Sequence, residues 1–200
     1  KIKMTSYLSA HWLDEQTGGS SANLSPFFDP ANKRVFGHCT NGVHVEPMGP
    51  EVLEEQLNFV DLYVGKRVPH ISNLLAFGIP SVLADLFHAT DRVSSFYLPY
   101  DLWTLEPNYA AALAKWEAQP RVRVRWENGG RTGEEGLPLA TASTRYSTWP
   151  PAEISAQKLY LQPDGGLAST APTVADTAAR ASSSYTYDPS TKRDSTLTGG

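Results

Sequence analysis

The chain is predicted to join an α/β region with parallel strands, residues 1–119, to an all-β region, residues 120–200. Three observations predict this. Strand-like and helix-like apolar patterns alternate from the first residues to Gly65. Near Pro120 the hydrophobic period changes, and "RVRVRWE" alternates polar with apolar. Short strand patterns then follow one another, separated by Gly-, Ser-, Thr- and Pro-rich connections. Alternating strands and helices imply a parallel sheet, because parallel neighbours need a crossover between them.

Residues 2–8 form an apolar run that reads as a buried strand, ending where Trp12, Asp14 and the pair Gly18-Gly19 begin a loop. Ser20 to Leu24 opens a helix. Residues 33–39, "KRVFGHC", are a second strand, and Asn41-Gly42 is a turn signal. Pro50 then opens the strongest helix pattern, "PEVLEEQLNFVDLYVG", with acids in its first turn, where the helix dipole favours them. Leu53, Leu57, Val60 and Val64 recur on one helical stripe, and Gly65 is the expected stop. Residues 70–87 read as helix broken at Gly78 and Pro80, and "VSSFYLPYDLW" as loop or short strand. Residues 106–120, "EPNYAAALAKWEAQP", are an Ala-rich helix between two prolines. Arg121, Arg123 and Arg125 then share one face of a strand, expected to be solvated. "QKLYLQPDGGL" reads as a strand with a tight turn, "SSYTYDP" as a further strand, and residues 168–184 as a low-complexity surface loop.

Hydrophobic residues at 40% and charged residues at 19% describe a globular chain. A net charge of −4 argues against nucleic acid or an anionic membrane as partner. Cys39 is the single cysteine, so no intrachain disulfide forms. Nowhere is there the run of about 18 apolar residues that a membrane-spanning helix needs. The opening "KIKMTSYLSA" carries neither an initiator Met nor a signal-peptide pattern and reads as starting within a strand. An internal piece of a longer chain is therefore expected. Localisation, cytoplasmic or secreted, and oligomeric state stay open.

Two loops hold the chemistry. "HWLDEQTGG" places Asp14, and "HCTNGVHVEP" places His44, among small turn-forming residues 30 positions apart. That separation admits a crossover, which puts both residues at carboxyl ends of strands, the edge where open α/β sheets place their sites. An Asp and a His so placed are two thirds of a catalytic triad. Blander readings stand beside this one. Asp14 also suits a turn or helix cap. His38 is a rival triad histidine, though it falls in the strand. His11, His70 and His88 read as structural or solvated, Cys39 as a buried filler, and Trp12 as packing or pocket lining. Asp14, His38, Cys39, His44 and Glu46 are all metal-ligand types, but the His38–His44 spacing fits no H-E-x-x-H pattern and no paired cysteines support it.

Several stretches, in order, resemble the Xaa-Pro dipeptidyl peptidase-like hydrolases, the family that includes cocaine esterase-type enzymes. "WLDEQTGGS" resembles the loop of the triad acid. "NGVHVEPMGPEVLEEQLNFVDLYV" resembles the triad histidine followed by the last helix of an α/β-hydrolase domain. "RVRVRWENGG" and "WPPAEISAQKLYLQPDGGL" resemble the start of a C-terminal jelly roll, and "SYTYDPSTKRDSTLTGG" its continuation. The resemblance implies an incomplete α/β-hydrolase domain over 1–119 and an incomplete jelly roll over 120–200. It implies a serine hydrolase that cleaves ester or peptide bonds of a small-molecule substrate without a cofactor, with Asp14 and His44 as its catalytic acid and base. The family order is Ser, Asp, His, with the serine on a G-x-S-x-G elbow. No complete G-x-S-x-G occurs in these residues, and "GGSSA" follows Asp14 rather than preceding it. The nucleophile is therefore expected before Lys1, and residues 1–200 alone are expected to be inactive and liable to aggregate along an unpaired strand edge. The alternative reading is a β-sandwich binding module after residue 120, with residues 1–119 as its support.

Overall fold

A computed structural model describes residues 4–19, 28, 31, 33–98, 102–127, 129, 131–162, 165–173 and 186–190. The fold is mixed α/β. Strands β1 (Ser6–His11), β2 (Val35–Thr40), β3 (Val122–Trp126) and β4 (Ala142–Tyr146) form one sheet in that order. β1 and β2 pair in parallel, as do β2 and β3, whereas β4 returns antiparallel to β3. Helices α1 (Pro50–Val60), α2 (Asn73–Leu86) and α3 (Tyr109–Glu117) fill the long crossover from β2 to β3. The helix expected from Ser20 lies outside the described residues.

The chain divides into two compact units, Lys1–Glu153 and Ile154–Gly200. The change of period near residue 120, read as a domain boundary, marks the entry of β3 into the sheet of the first unit. In the second unit β5 (Tyr160–Leu161) and β6 (Leu167–Ala168) make a small antiparallel pair, closed by Gly165 at φ 84°. The strand expected at "SSYTYDP" lies partly outside the described residues, and residues 186–188 are not strand. Most of the loop expected over 168–184 also lies outside them.

Register sorts the sheet into two faces. Partners across a strand pair point the same way, and successive residues alternate. Leu8, Ala10, Val35, Cys39, Val122 and Val124 share the apolar face, which packs under Phe28, Tyr146 and Trp149. Gly37 lies on this face because a Cβ there would collide with the Leu8 carbonyl and the Phe28 ring. The opposite face carries Tyr7, Ser9, His38, Thr40, Arg123 and Arg125, and α1 lies over it.

That placement overturns two expectations. The arginine face of β3 is not solvated. Arg125 is 1% exposed and donates from Nη2 to the Glu55 carboxylate at 2.9 Å and to the Glu51 carbonyl at 3.0 Å. Nor is the Leu53–Val64 stripe the buried side of the helix. α1 buries Val52, Glu55 and Asn58 instead, while Val60 and Val64 are 48% and 74% exposed. The helix turns toward the sheet the side that carries a counter-ion for its arginines. A single π-type turn, Asp61–Gly65, extends α1, and the left-handed residue that ends it is Lys66, at φ 51°, rather than Gly65. Asp61 ties this end down by accepting a fork from Arg67 and the backbone N–H of His70.

α2 is one helix through Gly78 and Pro80, with the Ser72 hydroxyl capping its start. It seats Leu83 and Ala84 on Phe96, Leu137 and Leu139. The segment read as loop or short strand, residues 93–103, begins inside a kinked 3₁₀ stretch, Thr90–Phe96, and its residues 99–101 lie outside the described residues. Asn108 caps α3 by accepting from the N–H of Ala111, and Trp116 packs with Phe36, Leu62 and Trp103.

Candidate active site

β1 and β2 end together, with His11 opposite Thr40. The ladder continues past that pair. The N–H of Trp12 donates to the Thr40 carbonyl and that of Leu13 to the Gly42 carbonyl, both at 3.0 Å. The two loops are thus stitched at their roots, and Asp14 and His44 emerge side by side at the carboxyl edge. Gly18 is required where the acid loop folds back, since a Cβ would lie 2.9 Å from the Trp12 carbonyl oxygen; Gly19 has open space around it. A Cβ on Gly42 would collide with the Glu46 side chain, which folds against the turn.

Both readings of Asp14 hold at once. Its Oδ1 accepts the backbone N–H groups of Gln16 at 2.7 Å and Thr17 at 2.8 Å, the geometry of a turn cap. Its Oδ2 accepts the Thr17 hydroxyl at 2.7 Å and faces Nδ1 of His44 at 2.9 Å. Burial acts to raise the Asp14 carboxyl, but the bonds from Thr17, Gln16 and His44 outweigh it and hold the group well below the usual carboxylate range. An ionised carboxylate only accepts, so His44 carries a proton on Nδ1 and turns Nε2 away from the acid. The Asp14 side chain is 4% exposed and that of His44 49%. The pair is a fixed, buried anion holding an imidazole whose other side meets solvent. Such a couple can take up a proton at Nε2 and release it again.

The remaining candidates scatter. His38 is buried on the polar face, its Nδ1 3.0 Å from the Tyr7 hydroxyl and its Nε2 2.9 Å from the Ser9 hydroxyl. Cys39 is buried on the opposite face, where desolvation pushes its thiol up to about 11. Trp12 packs near Ala10 and Cys39 and against the Trp126 ring at 5.7 Å. Among the described residues no three His, Cys, Asp or Glu side chains gather as a ligand set. His11 is 5% exposed, and its Nε2 lies 2.6 Å from the Ser9 hydroxyl.

Sequence reasoning missed the charged cluster beneath the site. Glu55 accepts from Tyr7 and Arg125 at 2.9 Å each and from Arg145 at 2.7 Å, with Arg123 3.6 Å away. Burial would raise the Glu55 carboxyl, but these arginines hold it at about 2. Strand register places Arg123 directly opposite Arg145, an arrangement of like charges that is unfavourable without an anion between them. The period-two arginines were the visible signal; the missing partner was a helix residue 70 positions away from Arg125.

Comparison with protein-family models, with curated proteins and with solved structures finds no match to this chain. Among the described residues no helix is long and apolar enough to cross a membrane.

Proposed function

We propose that Asp14 and His44 are the acid and base of a serine hydrolase that cleaves esters or peptide bonds through an acyl-enzyme. The observation that carries this reading is the 2.9 Å contact between Asp14 Oδ2 and His44 Nδ1 at the carboxyl edge of parallel strands. In this role Asp14 fixes the tautomer and stabilises the imidazolium, without itself taking the proton. His44 Nε2 removes the proton of the attacking hydroxyl and delivers it to the leaving alcohol or amine. The nucleophile and the oxyanion donors belong, on this reading, to residues ahead of Lys1, and no cofactor takes part.

Two further features support the pairing. The loops that bear Asp14 and His44 are hydrogen-bonded to each other at their roots, so the distance does not depend on side-chain packing alone. Glu55 and Glu51 bind Arg125 and thereby hold α1, which begins six residues after His44, against the sheet. The binding-module alternative has less support, because β3 and β4 complete the same sheet that carries the pair.

The test uses a chain that includes the preceding residues. His44→Ala and Asp14→Asn are each expected to lower kcat for ester hydrolysis by roughly 10⁴-fold, as loss of a triad base or of its orienting acid does. Undiminished hydrolysis in both variants would sink the assignment.

A further inference from the structure

The polar face of the sheet is a single directed chain of hydrogen bonds, and its protons can be assigned one by one. Glu55 is an acceptor only, so Tyr7 donates its one hydroxyl proton to Glu55 Oε2 at 2.9 Å. The Tyr7 oxygen can then only accept, which puts the His38 proton on Nδ1, 3.0 Å away. His38 is neutral, because burial and then Arg125 hold its pKa well below the usual value. Its Nε2 is therefore an acceptor, and Ser9 donates to it at 2.9 Å. The Ser9 proton is spent, so its oxygen accepts from His11 Nε2 at 2.6 Å. Burial lowers the His11 pKa to about 4, so this ring too is neutral, and its Nδ1 is left as a bare lone pair. The charge on Glu55 thus sets the tautomer of a histidine at the other end of the face.

That lone pair does not stand by itself. His11 faces Thr40 in the register of β1 and β2, and Thr40 faces Arg125 in that of β2 and β3. The three side chains form one row across the sheet, the last before the loops of Asp14 and His44. Each is nine-tenths buried or more: His11 5%, Thr40 1% and Arg125 1% exposed. Each holds a buried polar atom with no hydrogen-bond partner among the described residues: His11 Nδ1, Thr40 Oγ1 and Arg125 Nη1. Arg125 also acts electrostatically on the His11 ring. A polar atom left unpartnered at this depth has lost its water without gaining a bond in exchange. Strand register makes these three residues neighbours on one face of the sheet.

We propose that the row of His11, Thr40 and Arg125 binds one water molecule beneath the Asp14–His44 pair, oriented by the hydrogen-bond chain that starts at Glu55. The chemistry of the row excludes the other small ligands. His11 Nδ1 demands a donor, and Arg125 Nη1 demands an acceptor. A halide or a carboxylate has no proton for His11, and a metal cation is repelled by Arg125. Water satisfies both and has capacity left for the Thr40 hydroxyl, about the three bonds that buried waters commonly make. It would link three strand ends under the two loops, so that the carboxyl edge behaves as one rigid shelf. The site goes beyond the hydrolase reading and stands or falls separately from it.

Solution NMR of the chain, with ¹⁵N-labelled histidine, tests both halves at neutral pH. The expected spectrum has a pyridine-type Nδ1 and pyrrole-type Nε2 for His11, and the reverse for His38. Cross-peaks from a long-lived water to the His11 ring and the Thr40 methyl group are expected. Thr40→Val keeps the shape and removes the hydroxyl; those cross-peaks are expected to vanish while both tautomers persist. Tyr7→Phe breaks the chain, and averaged ¹⁵N shifts at His38 and His11 are expected. A proton on His11 Nδ1, no water cross-peak in the parent chain, or resonance shifts of the row on adding chloride or formate would each overturn the proposal. If Tyr7→Phe does not fold, the parent and Thr40→Val spectra decide the matter alone.

Discussion

On one side of the sheet Ala10, Cys39 and Val124 pack against Trp12, Tyr146 and Trp149; on the other, Tyr7, His38 and Arg125 converge on Glu55. The same strands build both faces, one residue out of step. The apolar face is held by contacts that are individually weak and tolerant of substitution with similar volume. The polar face is held by few, directional and mutually dependent bonds, where removing one member strands the others. The candidate site sits at the edge of both, but its loops leave the sheet directly above the polar row.

The strongest way to break this contrast is Glu55→Ala. It leaves Arg125 buried without its main counter-ion, and a loss of about 3–5 kcal/mol is expected in urea unfolding. The double variant Glu55→Leu with Arg125→Met is expected to recover part of that loss, because the buried Arg125 charge then goes with its partner while Tyr7, Arg123 and Arg145 still lack their anion. A double variant no more stable than Glu55→Ala would show that the cluster is not held by the pair. The matching change on the other face, Val124→Ala, is expected to cost about 2 kcal/mol, from two lost methyl groups and a small cavity. It should leave the His44–Asp14 contact intact, read as an unchanged His44 ring spectrum.

Titration sharpens the same comparison. His11, lowered to about 4, and Glu55, lowered to about 2, both favour their unprotonated forms in the folded chain. Their contribution is complete above about 6.5, the ordinary histidine value, and is lost as pH falls, first through His11 and then, below about 4.5, through Glu55. Cys39 runs the other way. Its folded-state pKa of about 11 favours the thiol, so stability is expected to fall as pH rises from about 9 toward 11. Cys39→Ala should flatten the slope between about 9 and 10 and leave the acid one, while Tyr7 and Tyr63, whose hydroxyls are raised by desolvation, keep a slope above about 10; an unchanged slope between about 9 and 10 would count against the thiol as its source. The smallest effect is expected from Val64→Ser, about 0.5 kcal/mol or less, because Val64 is 74% exposed. A loss above 1 kcal/mol would mean that the stripe through Leu53 and Val64 is covered after all.

Much of this was legible in the chain. β2, α1 and α3 follow from apolar period, Pro50 and the prolines that flank the Ala-rich stretch, since these signals act within a few residues of the structure they dictate, while β1 lies further along the chain than the apolar run 2–8, at Ser6–His11. The same holds for the placement of Asp14 and His44 on neighbouring loops, because a strand–turn pattern and a crossover length suffice to put both at the carboxyl edge. What the sequence could not determine was which side of each element turned inward. Arg123 and Arg125 on a period-two strand look solvated until Glu55 is brought beneath them, and the apolar stripe of α1 looks buried until that same glutamate claims the sheet. Local pattern records how strongly a residue avoids water; only the assembled sheet supplies the opposite charge that lets an arginine leave it.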